Sequence, residues 1–309
     1  MFYSFLFRYH SPDVLSKVFG FANSTLINGR GRYAGGPPAP LSVINVQQGL
    51  RYRFRVLAMS CDASFNFTID GHRMTIIEAD GNEVYPIDVD SIPVHPGQRY
   101  SIVVTADQPV GNYWIRALSN MPNATFDDGQ NMAILRYEGV EDDDPTSEAG
   151  PYELSFDEGN LHPLINPGAA GIPEIGQADV NLVLAPGFTP DGNFTLGNVT
   201  YVNPTVPVLL QILSRARQAS ELLPLGSVYA LPPNKVIEIT FPHPEAAPGA
   251  PVSAVFAGCF HTDFEYIIQH PVHLHGVCIP FRVCGPQVNL CFSTPSMLSG
   301  LRVATRRTF

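Results

Sequence analysis

The chain has 309 residues, of which 45% are hydrophobic and 15% are charged, and this balance excludes a disordered tail or a coiled coil. Its formal charge is −10 and its only lysines are Lys17 and Lys235, so we expect no nucleic-acid partner. No run of about 18 or more apolar residues is present, so we expect no membrane partner. Pro and Gly number 29 and 26, which favours many short strands joined by turns over a helix bundle.

Strand-like segments follow one another through the first half of the chain. In residues 52–56, for example, aromatic or aliphatic residues alternate with Arg, as in a strand with one face in water. Several of these segments end at turn pairs such as Asp80-Gly81. The predicted strands cover residues 41–46, 52–56, 65–69, 74–78, 100–105, 113–116 and 132–137. This spacing predicts an all-β sandwich or Greek-key barrel.

The charge run Glu141–Asp144 closes this first β domain. We interpret residues 141–177 as a linker, because they are Pro-rich and show little periodicity. A second β-rich region follows at 178–309, with one predicted helix at Pro207–Arg215. The leucines of this helix share one face, and we expect that face to lie in the core.

The densest group of chemically versatile residues is His270-Pro-Val-His273-Leu-His275. Alternate residues of a strand share a face, so His273 and His275 point the same way and His270 points differently. The spacing predicts that His273 and His275 address one metal cluster and His270 another site. Neutral imidazoles bind Cu, Zn, Fe or Ni. An accidental run of surface histidines is the plain alternative, and a hydrolytic zinc site is disfavoured because His270 would face away.

Five Asn-x-Ser/Thr sequons, in an acidic chain with two lysines, favour a secreted, extracellular glycoprotein. We discount the sequon at Asn66 because it lies inside a predicted strand. The other four candidate glycosylation sites are Asn23, Asn123, Asn193 and Asn198.

The segment His270-Pro-Val-His-Leu-His-Gly276 resembles the third-domain copper motif of multicopper oxidases, and in particular of fungal laccases. Ordered segments over most of the chain resemble laccases as well. They are residues 25–32, 60–62, 69–72, 97–100, 112–116, 133–137, 206–212 and 222–229.

The resemblance implies cupredoxin-like Greek-key β-barrel domains, one complete and one incomplete. Residues 1–22 would be a remnant of a first domain, 23–140 the second domain, and 178–309 an incomplete third domain. The implied activity is one-electron oxidation of phenols and aromatic amines, as in lignin degradation, coupled to reduction of O₂ to water. The implied cofactor is copper in type 1, type 2 and type 3 sites, and we expect a monomer.

Residue roles also follow from the resemblance. His270 would be a type 1 ligand, His273 the type 2 ligand and His275 a type 3 ligand, in agreement with the parity argument. Ligands of this kind set the redox potential while copper performs the chemistry.

The resemblance also implies a substrate pocket. Asp62 resembles the carboxylate that accepts the substrate's proton, which would help a phenol to lose an electron; the alternative is that it only satisfies a turn. Asn120 and Phe194 match pocket-lining positions, although Phe194 fits a plain core position equally well. Cys61 resembles the half-cystine that bridges to the first domain.

The chain departs from the family pattern at two stretches, residues 252–269 and 277–309, and contains no His-Cys-His segment. We therefore expect the chain as written to be a truncated, inactive form, with a non-catalytic, secreted, copper-binding β-glycoprotein as the alternative. Our hypothesis is that 252–269 is a retained intron and that the frame shifts after Gly276. Genomic DNA without GT and AG at the ends of the first stretch would contradict the intron.

Overall fold

The computed structural model describes residues 2–9, 24–60, 64–120 and 124–165, shorter pieces between 172 and 240, and residues 281–283 and 301–304. The chain forms two compact units, the first over residues 1–166 and the second over most of the remainder. The boundary lies inside the predicted linker at 141–177; the domain boundaries given above stay a prediction.

The first unit contains two sheets. The six-stranded sheet has the order β2-β1-β4-β9-β6-β7, and all of its pairs are antiparallel except β1 with β4. Its strands in chain order are β1 (Phe2–Tyr9), β2 (Thr25–Ile27), β4 (Arg51–Ala58), β6 (Met74–Ala79), β7 (Asn82–Val89) and β9 (Arg99–Thr105).

The five-stranded sheet has the order β3-β11-β10-β5-β8, with only β3 and β11 parallel. Its strands are β3 (Val43–Val46), β5 (Phe65–Ile69), β8 (Ile92–Val94), β10 (Asn112–Ser119) and β11 (Met132–Tyr137). Because β10 lies between β5 and β11, strands distant in the chain are neighbours, as in a Greek-key arrangement.

The core lies between the inner faces of these sheets. In β4 every second residue is buried, as the alternation predicted. Phe54 and Ile102 come from the first sheet, and Phe67, Ile115 and Leu135 from the second, and each is fully or almost fully buried. Burying large apolar side chains at about 25 cal/mol per Å² is the main stabilisation of such a sandwich.

Tight turns close the hairpins. Asp80 and Gly81 have φ values of 48° and 86°, the left-handed geometry of a two-residue turn that matches the twist of its strands. Asn28 and Gly29, with φ values of 51° and 80°, do the same beyond β2. The turn pair Asp80-Gly81 is therefore confirmed.

The segment after β11 packs on the first unit. Phe156 and Leu161 are buried in its core, and the ring of Phe156 meets that of Tyr100 edge-on at 5.5 Å. The backbone N–H of Tyr85 donates to the carbonyl oxygen of His162 at 2.8 Å. Residues 141–165 are thus part of the first unit, with one short 3-10 turn at Glu158–Asn160.

The described part of the second unit is also mainly strands. A four-stranded sheet has the order β12-β15-β17-β16, and β13 and β14 form a separate hairpin. These strands are β12 (Val180–Val183), β13 (Pro186–Phe188), β14 (Phe194–Leu196), β15 (Val236–Thr240), β16 (Phe281–Val283) and β17 (Leu301–Ala304). The all-β prediction is confirmed.

The predicted helix is present as α1 (Val208–Leu213), preceded by Pro207. Its expected burial is wrong, because Leu209, Leu210 and Leu213 are 66%, 54% and 69% exposed. Apolar periodicity gives the face of a helix but does not determine whether another element covers it.

Candidate functional site

The three candidate copper ligands, His270, His273 and His275, lie outside the described residues, and so do Cys61 and Asp62. The same holds for Asn23, Asn123 and Asn193. Their assignments therefore stay predictions. The structure does describe the chain that flanks the Cys61–Asp62 pair on both sides, and it describes Asn120.

Asn120 holds the start of β5. Its backbone N–H donates to the carbonyl oxygen of Ser64 at 3.0 Å. In return, the N–H of Ser64 donates to the side-chain Oδ1 of Asn120 at 3.1 Å. These residues stand opposite each other, directly beyond the pair Ser119 and Phe65 of the ladder between β10 and β5. The Asn120 side chain thus takes the place of a backbone acceptor and prolongs the ladder towards Asp62, two residues before Ser64.

The sequence analysis did not predict that Asn120 holds Ser64, because a single Asn after the end of a strand belongs to no periodic pattern. The signal that could have found it is the register, since continuing the pairing of β10 and β5 by one step brings Asn120 opposite Ser64. Its predicted contact with substrate stays a prediction.

Phe194 begins β14 and pairs with Phe188 of β13. Its side chain lies outside the described residues. The same hairpin leads into Gly197 and Asn198, whose φ values of 58° and 66° form a tight turn closed by two hydrogen bonds between Leu196 and Val199. Asn198 is exposed at this turn, so this candidate glycosylation site lies at a surface.

His72 is buried and both of its ring nitrogens have protein partners. Nδ1 lies 2.7 Å from the carbonyl oxygen of Asp70 and donates to it, so Nε2 accepts from the Tyr137 hydroxyl at 2.8 Å. The Tyr137 oxygen accepts in turn from the N–H of Gln108 at 3.1 Å. Burial lowers the pKa of His72 and raises the pKa of Tyr137 to about 12, so the ring stays neutral and the hydroxyl stays protonated. His72 is therefore a structural residue.

His95 is the other described histidine of the first unit that is buried, with 3% of its surface exposed. Its backbone N–H donates to Oε1 of Gln98 at 2.7 Å, but its ring Nδ1 has no partner among the described residues. Burial lowers the pKa of His95 to about 4. Among the described residues, His95 belongs to no group of three or more side chains that could hold a metal.

A buried ion pair fixes the outer face of the second sheet. Arg116 donates to both carboxylate oxygens of Asp70, from Nε at 2.8 Å and from a terminal nitrogen at 2.7 Å. Ser147 donates to the same carboxylate at 2.7 Å and accepts from the N–H of Trp114 at 3.1 Å. Such a pair costs about 3–5 kcal/mol when one partner is removed, because a buried charge is left alone. Asp70, Arg116 and Ser147 thus anchor the chain after β11.

One open groove of about 740 Å³ lies on the same face, next to this ion pair. Its wall combines aromatic rings and prolines with charged groups, among them Asp127 and Asp128. Arg32 pairs with Asp144 at 2.5 Å across this wall. The lining includes Arg32, Tyr33, Pro37, Pro38, Trp114, Arg116, Phe126 and Asp144. The groove therefore presents aromatic rings and charged groups, and its described lining includes no histidine, serine or cysteine.

The described residues do not form a copper site. No group of three or more His, Cys, Asp or Glu side chains that could hold a metal occurs among them. Two described histidines of the first unit are buried: His72 uses both ring nitrogens for protein hydrogen bonds, and His95 belongs to no group of three or more such side chains. The imidazoles of the His270 segment are donors that suit copper, but they lie outside the described part of the chain.

Comparison with known sequences identifies the class of protein. The multicopper oxidase family model matches residues 9–140. Laccase-4 of Trametes villosa is 49% identical over 271 residues, which are 87% of this chain and 48% of that laccase. Laccase-2 of Pleurotus ostreatus is 50% identical over 289 residues, which are 93% of this chain and 50% of that laccase. The chain spans about half the length of the curated relatives it matches.

Solved structures agree on the fold. The laccase from Botrytis aclada gives a TM-score of 0.66 at 18% identity and covers 98% of this chain and 58% of that chain. Fet3p, described as a multicopper oxidase that functions in iron import, gives a TM-score of 0.56 at 19% identity. The match covers 78% of this chain and 48% of the Fet3p chain. The chain belongs to the multicopper oxidase family. Within that family its sequence is that of a fungal laccase fragment. Where the chain is described, no helix is long and apolar enough to cross a membrane.

Proposed function

We propose that this chain is part of a laccase-type multicopper oxidase, which removes single electrons from phenols or aromatic amines and delivers four to O₂ to form water. The observation that carries the proposal is an identity of 46–50% to fungal laccases over 87–93% of the chain. Copper, when bound, supplies the electron transfer. The protein supplies ligands, a dry core and a pocket for the ring.

Within this proposal His270 is a type 1 ligand, His273 the type 2 ligand and His275 a type 3 ligand. The opposite parity of His270 and the shared parity of the other two support this division, because one strand would present them to different sites. Asn120 and Asp62 are proposed to line the substrate pocket, and the hydrogen bonds between Asn120 and Ser64 support Asn120 at the end of β10.

The test is O₂ uptake by the copper-loaded protein, produced with the remaining ligand segments of a laccase, in the presence of a phenol. His273→Ala and His275→Ala are expected to abolish uptake and to lower the copper content per molecule. The matched control is His162→Ala, because His162 is an exposed histidine of the first unit. Full uptake by both ligand variants would overturn the proposal.

Asp62 is proposed to accept the phenolic proton. At mildly acidic pH, Asp62→Asn is expected to lower phenol turnover about 10²-fold or more, the usual scale for a lost general base. Oxidation of a substrate without an ionisable proton is expected to suffer less, since no proton has to be accepted. Equal losses for both substrate classes would assign Asp62 a structural role.

Secretion, glycosylation and a monomeric state complete the proposal. The sequons support a passage through the secretory pathway, and Asn198 offers its amide at an exposed turn. Size-exclusion chromatography of the secreted protein tests the monomer: a dimer-sized species over a tenfold range of concentration would contradict it.

A second function is a non-catalytic, secreted, copper-binding β-glycoprotein. It is favoured by one observation, that the sequence holds the His270 motif but no His-Cys-His segment. Titration with Cu²⁺ followed by the phenol-oxidation assay, on the protein produced with the remaining ligand segments of a laccase, separates the two functions. Binding without phenol oxidation in the complete protein would support this second function.

A further inference from the structure

The outer face of the second sheet is only partly covered. In β5 the side chains of Phe65, Phe67 and Ile69 face the core, so Asn66, Thr68 and Asp70 face outward. The segment that follows β11 lies over two of these three, and they are buried under it: Ser147 donates to Asp70, and the Tyr152 hydroxyl lies 3.1 Å from Oγ1 of Thr68. Asn66 is the third outward residue, and it is exposed.

The surroundings of Asn66 leave its side chain available. Its cross-strand neighbours are Leu118 of β10, which is half-buried, and Pro93 of β8, which is exposed. No described residue forms a hydrogen bond with the Asn66 side-chain amide. Among the described strands β8 is the last of this sheet, so Asn66 stands one strand from its edge.

We propose that Asn66 carries an N-linked glycan, so that the sequon Asn66-Phe67-Thr68 is used although it lies in a strand. This inference rests on the secretion proposed above. Its position in a strand argued against it from the sequence, but the strand places Asn66 on the side away from the core. An Asn in a strand is unavailable for glycosylation only where its side chain is buried or hydrogen-bonded. The Asn66 side chain is exposed and has no hydrogen bond to a described residue.

The proposed modification transfers an oligosaccharide from a lipid pyrophosphate to the side chain of Asn66. The side-chain nitrogen Nδ2 of Asn66 forms a bond to the anomeric carbon of an oligosaccharide carried on a lipid pyrophosphate. The bond between that carbon and the pyrophosphate breaks, the lipid pyrophosphate leaves, and Nδ2 loses one proton. Thr68 supplies the hydroxyl residue that the sequon requires two positions later. In the folded protein Thr68 then turns to Tyr152.

A glycan at this place has a physical use. It would stand over Pro93 and Leu118 and shield the nearby strand β8, because sheet edges are places where another chain can pair. Bulky, hydrated sugar on an apolar sheet face raises solubility, as surface glycans generally do.

The experiment is to secrete the full 309-residue chain from a eukaryotic host and map its peptides by mass spectrometry. Enzymatic removal of the glycan converts the modified Asn to Asp, which marks each used site. We expect the peptide with Asn66 to be marked in the majority of molecules, and Asn66→Gln to lose one glycan in gel mobility. Fluorescence of Trp114 shows whether that variant still has a folded first unit.

The sequon at Asn198 is the matched control, because it lies exposed at a turn rather than in a strand. Unmodified Asn66 beside modified Asn198 would overturn the inference and leave secretion intact. If Asn66 and all other sequons are unmodified, both this inference and the proposed glycosylation of the protein are overturned. Neither result touches the oxidase proposal, which O₂ uptake tests separately.

Discussion

At Asn120 a side-chain oxygen takes the place of a backbone carbonyl oxygen as hydrogen-bond acceptor. The ladder between β10 and β5 has one more rung because its Oδ1 accepts from Ser64. Asn120→Ala is expected to speed hydrogen exchange at the Ser64 amide by about fivefold or more, the effect of losing a hydrogen bond worth about 1 kcal/mol. Asn120→Asp keeps an acceptor oxygen and is expected to keep the protection.

NMR-detected exchange of the 309-residue chain measures this effect. The control is Asn112→Ala, because Asn112 lies at the other end of β10 and its Oδ1 accepts from Arg136. If the Ser64 amide exchanges at the same rate in the unaltered chain and in all three variants, the hydrogen bond from Ser64 to Asn120 Oδ1 does not protect that amide.

His95 makes the stability of the first unit depend on pH. Burial lowers the pKa of His95 to about 4, whereas in the unfolded chain it titrates near 6.5. The stabilisation from the neutral buried ring is complete above pH 6.5 and is lost as the pH falls from there to about 4, because the unfolded state binds the proton first. We expect the free energy of unfolding to drop by up to about 3 kcal/mol over this window.

Urea unfolding at pH 7 and pH 4.5, followed by the fluorescence of Trp114, measures that drop. Trp114 is the chain's single Trp and is buried in the first unit. His95→Gln is expected to show a smaller drop, with a remainder from His72, whose pKa is also lowered by burial. His162→Gln, at an exposed histidine, should keep the full drop. An unchanged drop in His95→Gln would remove His95 as its cause.

At the scale of elements, the chain after β11 is as much a part of the first unit as its strands. Phe156 is 7% exposed and meets Tyr100 edge-on. Phe156→Ala is expected to destabilise the unit by about 3 kcal/mol, through lost burial and the cavity left behind.

The same urea assay tests this, with Leu164→Ala as the matched control. Leu164 belongs to the same segment but is 45% exposed, so its truncation is expected to cost less than about 1 kcal/mol. If both variants lose a similarly small free energy of unfolding, residues 141–165 do not contribute to the stability of the first unit.

Whereas β1, β2, β7 and β8 were not predicted, the alternating strands of the first unit were predictable, because one face of each sheet is buried. Arg51–Ala58 shows this most clearly. Phe156 was not predictable, since a single apolar residue in a Pro-rich stretch has no periodicity. The burial of His95 was not predictable either, because it follows from tertiary packing. The family of the candidate site was evident from the His270 motif, whereas the geometry of its ligands stays a prediction.

At the scale of the whole molecule, a β unit and a proposed copper motif do not by themselves make an oxidase. The 309-residue chain holds His270, His273 and His275 but no His-Cys-His segment, and a blue copper site needs a Cys thiolate beside its histidines. We therefore expect this chain, loaded with Cu²⁺, to show neither intense blue absorption nor catalytic phenol oxidation. Visible absorption and O₂ uptake measure both, with Laccase-2 of Pleurotus ostreatus prepared in the same way as the positive control. Steady turnover by this chain would show that its own residues complete the ligand set, and the assignment of His270, His273 and His275 to separate sites would have to be abandoned.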